Sequence, residues 1–346
     1  MNPLRFALAL ALLTLSAFAA DAAPRRAAPP DPLQERIKAA KSGDAATQFA
    51  LGLDYRSGNG VAKDPVQAYK WIHLAALNNL AAAQYAAGVM DQTGEGTPRK
   101  PGDAAEWYRK ASRQGSLPAT LALARMLRYG EGVAVDLAGA ANLYRTAADR
   151  NDLASQLILG DLYLRGEGVN KNPNDALVWF RRAAQFGSAE ARYRLGLLLL
   201  DGNPARRILH RPSKSSREAV IWLQLAADQN YAPAQFVLGL LTWGGVTQRY
   251  DGPEAIALFQ RAGDQGYVPA LRKLAGLYRQ GKIVAKDPGR ALMYLELAEQ
   301  LSASSGGVVR ETIRSGERED LLRELPAAQA QTAKRRAQEW LQIRNL

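Results

Sequence analysis

The chain has 346 residues, and its 45 Lys and Arg outnumber its 33 Asp and Glu, for a formal net charge of +12. It has no Cys and only two His, which excludes disulfide scaffolds, Cys-based zinc sites, iron–sulfur clusters, Cys nucleophiles and metal sites built from three His. Hydrophobic residues make up 47% and charged residues 23%, values typical of a globular protein with a real core. The sequence also has no Ser-x-x-Lys or Gly-x-Ser-x-Gly element of a serine hydrolase, and we predict no catalytic residue, no metal site and no cofactor.

Residues 1–22 have the pattern of a secretory signal peptide. Arg5 precedes the apolar run Phe6 to Leu15, and Ala-x-Ala cleavage sites end at Ala19 and Ala22. The run is shorter than the roughly 20 apolar residues that span a bilayer. We expect a periplasmic or secreted mature chain without a transmembrane segment. Residues 23–32 are rich in Pro and are predicted to be a linker.

The next part of the chain repeats itself with a period of 36 residues, interrupted once by seven extra residues. One column of the repeat holds small residues: Gly52, Gly88, Ala124, Gly160, Gly196, Gly239 and Ala275. A second column holds large residues: Trp71, Trp107, Leu143, Trp179, Trp222, Leu258 and Tyr294. A third is always Ala: Ala75, Ala111, Ala147, Ala183, Ala226, Ala262 and Ala298. Such self-similarity predicts an all-α solenoid of helix pairs, with a capping half-repeat at 33–43 and seven repeats at 44–302.

Two further columns predict where the second helix of each repeat begins and ends. Six of the seven residues in the first column can accept hydrogen bonds at a helix N-cap: Asp64, Lys100, Asp136, Asn172, Ser215, Asp251 and Asp287. The other column holds only residues that tolerate a left-handed conformation after a helix: Gly43, Asn79, Gly115, Asn151, Gly187, Asn230 and Gly266. The Gly-rich turns between the helices, such as Gly58 to Val61, follow a helix rather than a strand, so we interpret them as structural and not as phosphate-binding loops.

The large-residue column is predicted to be core, with each ring filling the space beside a small residue of the neighbouring helix. The column that contains His73 is otherwise Arg, Gln and Glu and is expected to face solvent. His210 is expected to be solvated in a loop, and neither His has an evident catalytic partner in the sequence.

The seven extra residues expand a turn of the fifth repeat, residues 203–217, which contains five basic residues and no acid: Arg206, Arg207, Arg211, Lys214 and Arg217. One interpretation is a solvated loop. The other is an anion-facing patch for phosphate, an acidic polysaccharide, a lipid headgroup or an acidic protein, because clustered charge raises the local concentration of anions.

After residue 302 the repeat stops. Helices are predicted near 308–323 and 327–343, and Ala330, Ala333, Ala337, Trp340 and Leu341 share one face of the second. Solenoids need polar-faced ends, so residues 303–346 are predicted to form a C-terminal helical cap. A detachable helix that binds a partner is the alternative.

The repeat resembles the Sel1-like family, a relative of tetratricopeptide repeats. The resemblance rests on Leu51-Gly52, Tyr55, Gly58-Asn59-Gly60-Val61, Asp64, Ala68, Trp71 and Ala75-Ala76, and on the similar unit from Leu159 to Ala184. Asp91 stands where the family pattern has Tyr. The resemblance implies a right-handed α/α superhelical solenoid whose groove binds other proteins, and exported members that act as adaptors in the cell envelope.

The expected function is therefore that of an exported, non-enzymatic scaffold or adaptor for envelope proteins. The residues predicted to line a partner groove vary between repeats on the first helices: Arg56, Gln92, Arg125, Arg128, Trp243 and Arg279. The alternative is binding to the cell wall, as peptidoglycan, or to an acidic polysaccharide through the basic turn. Nucleic acid is not an expected partner because the chain lacks a recognised nucleic-acid-binding module.

Overall fold

A computed structural model describes residues 32–200, 214–245, 251–304 and 316–344. These residues form helices and turns without a strand, which confirms the predicted all-α repeat fold. No helix among them combines the length and the apolar character needed to cross a bilayer. These described residues divide into two compact units, one that ends at Gln114 and one that begins at Gly115.

The first unit contains a short helix and two helix pairs. Its helices are α1 (Pro32–Lys41), α2 (Ala45–Ser57), α3 (Pro65–Leu77), α4 (Ala81–Thr93) and α5 (Pro101–Arg113). The helix α1 coincides with the predicted half-repeat, and Gln48 of α2 donates a hydrogen bond from Nε2 to the carbonyl of Ala40 at 2.9 Å.

The second unit continues the alternation of first and second helices through five more pairs and ends in two further helices. They are α6 (Leu117–Tyr129), α7 (Leu137–Asp149), α8 (Leu153–Arg165), α9 (Pro173–Gln185), α10 (Ala189–Leu199), α11 (Lys214–Asp228), α12 (Ala232–Trp243), α13 (Gly252–Asp264), α14 (Val268–Gln280), α15 (Pro288–Ser304), α16 (Glu317–Glu324) and α17 (Ala327–Ile343).

The predicted N-caps are confirmed at most second helices. Asp64, for example, accepts hydrogen bonds from the backbone N–H groups of Val66 and Gln67 at 2.9 and 3.0 Å. Lys100 makes no capping bond, as expected for a side chain without an acceptor. The prediction for Ser215 was wrong, because α11 already begins at Lys214.

The predicted left-handed residues after the second helices are all confirmed. The three asparagines Asn79, Asn151 and Asn230 have φ between 61° and 65°. The four glycines of this column have φ between 77° and 99°. A left-handed residue here lets the chain leave one helix and enter the next without a steric penalty.

The expectation that the Trp column fills the space beside the small residues was wrong. The residue that follows the Trp position does so: a Cβ added at Gly88 would lie 2.6 Å from the Tyr108 ring, and one at Gly239 would lie 2.7 Å from the Phe259 ring. This column is buried in every repeat: Ile72, Tyr108, Tyr144, Phe180, Leu223, Phe259 and Leu295. Most side chains of the Trp column are only half-buried. Each precedes a residue of the buried column by one position, so it points about 100° away from that residue around the helix axis.

The last two helices pack on α15. Leu321 of α16 and Leu325 directly after it, with Ala330 and Ala333 of α17, join one apolar cluster with helices α13 to α15. Trp340 packs with Ala337 against a second cluster. The predicted helix at 327–343 is confirmed, whereas the other begins at Glu317, and residues 305–315 lie outside the described part of the chain.

Candidate functional site

The first helices of the repeats are α2, α4, α6, α8, α10, α12 and α14, and they carry all six residues that the sequence predicted to line a groove. The six divide between the units. Arg56 and Gln92 belong to the first unit, and the other four, Arg125, Arg128, Trp243 and Arg279, belong to the second.

In the first unit, both predicted residues are held by neighbouring side chains. Arg56 binds Glu95 of the next repeat through Nε at 2.9 Å and Nη2 at 2.6 Å. The side-chain oxygen of Gln92 accepts a hydrogen bond from the Tyr108 hydroxyl at 2.9 Å. Arg56 therefore joins two successive repeats, and its charge is compensated.

The second unit repeats this arrangement. Arg128 binds Glu167 of the next repeat at 3.0 Å, with the same separation of 39 residues in the chain. Arg279 binds Asp320 of α16 at 3.1 Å. Arg125 lies exposed on α6, and its side chain is the most accessible of the predicted set.

Trp243 at the end of α12 is half-buried and contacts a basic residue that the sequence analysis did not select. The Nζ atom of Lys273 lies 4.7 Å from the centre of the Trp243 ring and 5.9 Å from that of Phe259. Burial lowers the pKa of Lys273. The sequence does mark Lys273 as unusual. Its column of the repeat holds Ala or another aliphatic residue in every repeat except at Arg194 and at Lys273 itself.

The basic turn is only partly described. Arg206, Arg207 and Arg211 lie outside the described residues. Lys214 begins α11, and Arg217 is exposed in its first turn. Two of the five basic residues thus belong to a helix rather than to the predicted loop.

His73 is not on a solvated face as expected. Its ring lies between the rings of Tyr69 and Trp107, with centroid distances of 5.3 and 5.1 Å. Burial lowers the pKa of His73 and raises that of Asp91, a fully buried carboxylate that accepts a hydrogen bond from the Tyr69 hydroxyl at 3.0 Å. Burial also raises the pKa of Tyr69.

His73, Tyr69 and Asp91 thus form one polar contact between neighbouring helices. Within the described ranges, no group of three or more His, Asp and Glu side chains is close enough together to hold a metal ion. In other repeats the same two columns form the pairs Arg145–Tyr163 and Gln260–Tyr278, joined by hydrogen bonds at 2.9 and 3.4 Å. The His73–Asp91 position is therefore a variant of a contact between helices that recurs along the chain.

Comparisons with known proteins agree with the repeat register. The Sel1 repeat profile matches residues 45–80, 81–116, 117–152, 153–187, 189–231, 232–267 and 268–302. A Sel1 repeat protein from Oxalobacter formigenes is similar in structure, with 28% identity, a TM-score of 0.64, and coverage of 85% of this chain and 80% of that one.

Two other solved structures are more distant. A protective antigen of uropathogenic Escherichia coli with an SLR fold has 25% identity and a TM-score of 0.46, and the match covers 90% of this chain and 79% of that one. An immunity protein from Pseudomonas aeruginosa has 24% identity and a TM-score of 0.38, with coverage of 64% and 82%. A search of curated proteins gives no match. Because seven consecutive matches span most of the sequence, the chain belongs to the Sel1 repeat family.

Proposed function

We propose that the protein is an exported, non-enzymatic scaffold or adaptor that binds another protein in the cell envelope. The observation that carries the proposal is the run of seven Sel1 repeats over residues 45–302. Sel1 repeats mediate protein interactions, and Sel1 repeat proteins are generally non-enzymatic scaffolds.

The arrangement of the first helices supports a binding role. Arg56 and Arg128 are paired with carboxylates of the next repeat and tie the repeats together, which favours a preformed surface. Arg125 is exposed and Trp243 is partly exposed, and Arg and Trp are enriched among the residues that dominate binding at protein interfaces.

Export is part of the proposal and is supported by the sequence of residues 1–22. Fractionation of cells that produce the tagged chain, followed by N-terminal sequencing, tests it. We expect a mature chain that begins after Ala19 or Ala22 and is found outside the cytoplasm. Leu10→Arg interrupts the apolar run and is expected to retain the chain in the cytoplasm. Full-length protein in the cytoplasm of the unmodified strain would contradict export.

The scaffold role is tested by in vivo cross-linking of the tagged protein and mass spectrometry of the captured proteins. We expect one dominant protein partner whose capture falls when Arg125 and Trp243 are both changed to Ala. Arg113→Ala, an exposed change on the second helix α5, is the control and should leave capture unchanged. The absence of any enriched protein would contradict the scaffold role.

A second candidate function is binding to peptidoglycan or to an acidic polysaccharide. Its support is the run of five basic residues without an acid in residues 203–217, with Arg217 exposed at the start of α11. If it is correct, the protein sediments with purified peptidoglycan at low salt and is released at high salt, because salt screens exposed charges. Changing the five basic residues to Ser should remove this binding without changing thermal stability.

A further inference from the structure

Two basic side chains occupy the same position of the repeat on different first helices, and their surroundings differ. Arg194 of α10 pairs with Asp161 of α8 through Nη1. It also binds Glu190 of its own helix through Nε at 3.0 Å and Nη2 at 2.7 Å. The charge of Arg194 is thus compensated by two carboxylates.

Lys273 of α14 occupies the same position in the repeat as Arg194, two repeats later in the chain. The two carboxylates that bind Arg194 have no counterpart there. The residues equivalent to Asp161 and Glu190 are Leu240 and Pro269. Lys273 is half-buried and lies over the Trp243 ring, and no ion pair of Lys273 is present among the described residues. Burial lowers its pKa, and no neighbouring acid opposes this shift. A desolvated amine without a carboxylate is stabilised strongly when a ligand supplies one.

The surface next to Lys273 has space for a ligand. Gly276 lies one helical turn further along α14, and a Cβ added there would have no atom of the described part of the chain within 4 Å. Every other first helix has a side chain at this position: Leu53, Val89, Arg125, Asp161, Leu197 and Leu240. Within the described ranges, the glycine therefore leaves open space beside α14.

The part of α12 that Lys273 contacts is apolar. Phe236, Leu240 and Trp243 are partly exposed on one face of α12 at helical spacing. The helix α12 contains no charged residue, and α14 contains three basic residues and no acid. The apolar strip of α12 lies beside Lys273, which has no carboxylate partner among the described residues. This surface complements a ligand in which an acidic residue is next to an apolar residue.

We propose that the face formed by α12 and α14 binds a segment of a partner protein in which an acidic residue adjoins an apolar residue. Lys273 binds the carboxylate, and the apolar neighbour packs on Leu240 and Trp243. This inference rests on the proposed function and specifies the chemistry of the partner. An acidic polysaccharide is a poorer match because it has no apolar side chain to pack on the apolar strip of α12.

The test uses the full mature chain and fluorescein-labelled peptides with alternating Asp and Phe residues, compared with the same peptides carrying Asn in place of Asp. The probes are read by fluorescence anisotropy. We expect the Kd of the Asp peptide to be lower than that of the Asn peptide by about tenfold or more. This ratio corresponds to the net contribution of one hydrogen bond to a charged group. Lys273→Met should remove this difference, and Lys273→Arg should retain most of it.

A second variant tests the comparison with Arg194. Leu240 has the same position relative to Lys273 as Asp161 has relative to Arg194. Leu240→Asp therefore places a carboxylate of the protein itself beside Lys273, and it should also remove the preference for the Asp peptide. Arg113→Met, which removes an exposed charge elsewhere, is the matched control and should bind as the unmodified chain does. Circular dichroism and thermal midpoints show whether each variant is folded.

Equal binding of the Asp and Asn peptides by the unmodified chain would overturn the inference, and so would unchanged preference in folded Lys273→Met. Binding of polygalacturonate that depends on Lys273, without peptide binding, would also overturn it. A different result would contradict the proposed scaffold function, namely that in vivo cross-linking captures no protein partner. If a partner is captured equally well by Lys273→Met, the scaffold function stands and the present inference fails.

Discussion

Trp179 and Phe180 are neighbours in the sequence but have different roles in packing. The Phe180 side chain is 1% exposed and lies against Gly160. Trp179 is half-buried and stacks on the Arg182 guanidinium at 5.6 Å. We expect Phe180→Ala to lower the free energy of unfolding by about 3–5 kcal/mol through cavity formation, and Trp179→Ala to lower it by less. Urea denaturation of both variants measures this difference, and an equal or larger loss for Trp179→Ala would contradict the packing.

The buried carboxylate of Asp91 predicts a dependence of stability on pH. Burial raises the pKa of Asp91 in the folded state. The folded state then binds more protons than the unfolded state between the two pKa values, so this group favours folding at low pH and opposes it once pH rises through the folded pKa. We expect Asp91→Asn to raise the thermal midpoint at neutral pH and to lose this advantage near the unfolded pKa of 3.8.

Thermal melts of the Asp91→Asn variant and the unmodified chain between about pH 4 and about pH 8 measure the difference. His73 contributes with the opposite sign: burial lowers its pKa, so stability is lost as pH falls below the unfolded value of 6.5. The Asp91 charge opposes this lowering of the His73 pKa, so the loss is larger in Asp91→Asn and further reduces the advantage of that variant at acid pH. A stabilisation by Asp91→Asn that did not change with pH would show that the Asp91 charge is not its cause.

Some residue roles could be predicted from the sequence and others could not, for a physical reason. A left-handed backbone restricts the choice of residue to Gly and Asn, so Asn79, Asn151 and Asn230 identified it directly. The residue that packs beside glycine only needs suitable volume, and Ile72, Tyr108 and Leu223 all serve. A column with such varied chemistry does not stand out in a sequence, whereas the uniform Trp column beside it does.

At the scale of the helix, the caps predict a measurable contrast between otherwise similar repeats. Asp136 accepts a hydrogen bond from the N–H of Gly139 at 2.8 Å, and Lys100 at the same position of the preceding repeat makes none. We expect Asp136→Ala to lower the free energy of unfolding by about 0.5–2 kcal/mol and Lys100→Ala to leave it nearly unchanged. Chemical denaturation of both variants measures this, and similar losses would argue against capping as the cause.

The helix boundaries were predictable because capping residues recur in register, but the bonds between repeats were not. Arg56–Glu95 and Arg128–Glu167 join residues 39 positions apart, and only the structure shows which faces meet. The same limit applies to the candidate site. Arg56, Arg128 and Arg279 were chosen because they vary between repeats, yet each binds a carboxylate. Lys273 also departs from its repeat column, but only the structure shows that Arg194 at the same position is paired with carboxylates.

At the scale of the whole molecule, the period of the sequence was sufficient to predict the fold, since each repeat buries its apolar face only by stacking on its neighbours. The partner was not predictable in the same way. A binding face is made of side chains that depart from the repeat pattern, and departures also arise from packing, as at His73 and Asp91.

The same stacking argument predicts what the last two helices do. Leu321 of α16 and Ala333 of α17 are buried against α15, and Arg318 of α16 binds Glu296 of α15 at 2.9 Å. A chain that ends after Ser315 would expose this apolar surface of α15. We expect such a chain to bind more anilinonaphthalene sulfonate and to show faster hydrogen exchange in α14 and α15.

Helices α7 to α9 of the truncated chain should exchange as in the full chain, because each repeat in such an array is stabilised mainly by its immediate neighbours. These helices are therefore the internal control. Unchanged exchange in α15 would mean that α16 and α17 contribute little to the stability of the preceding repeat, as expected for a segment that detaches to bind a partner. Faster exchange confined to α14 and α15 would instead establish that the two helices cover the end of the repeat core.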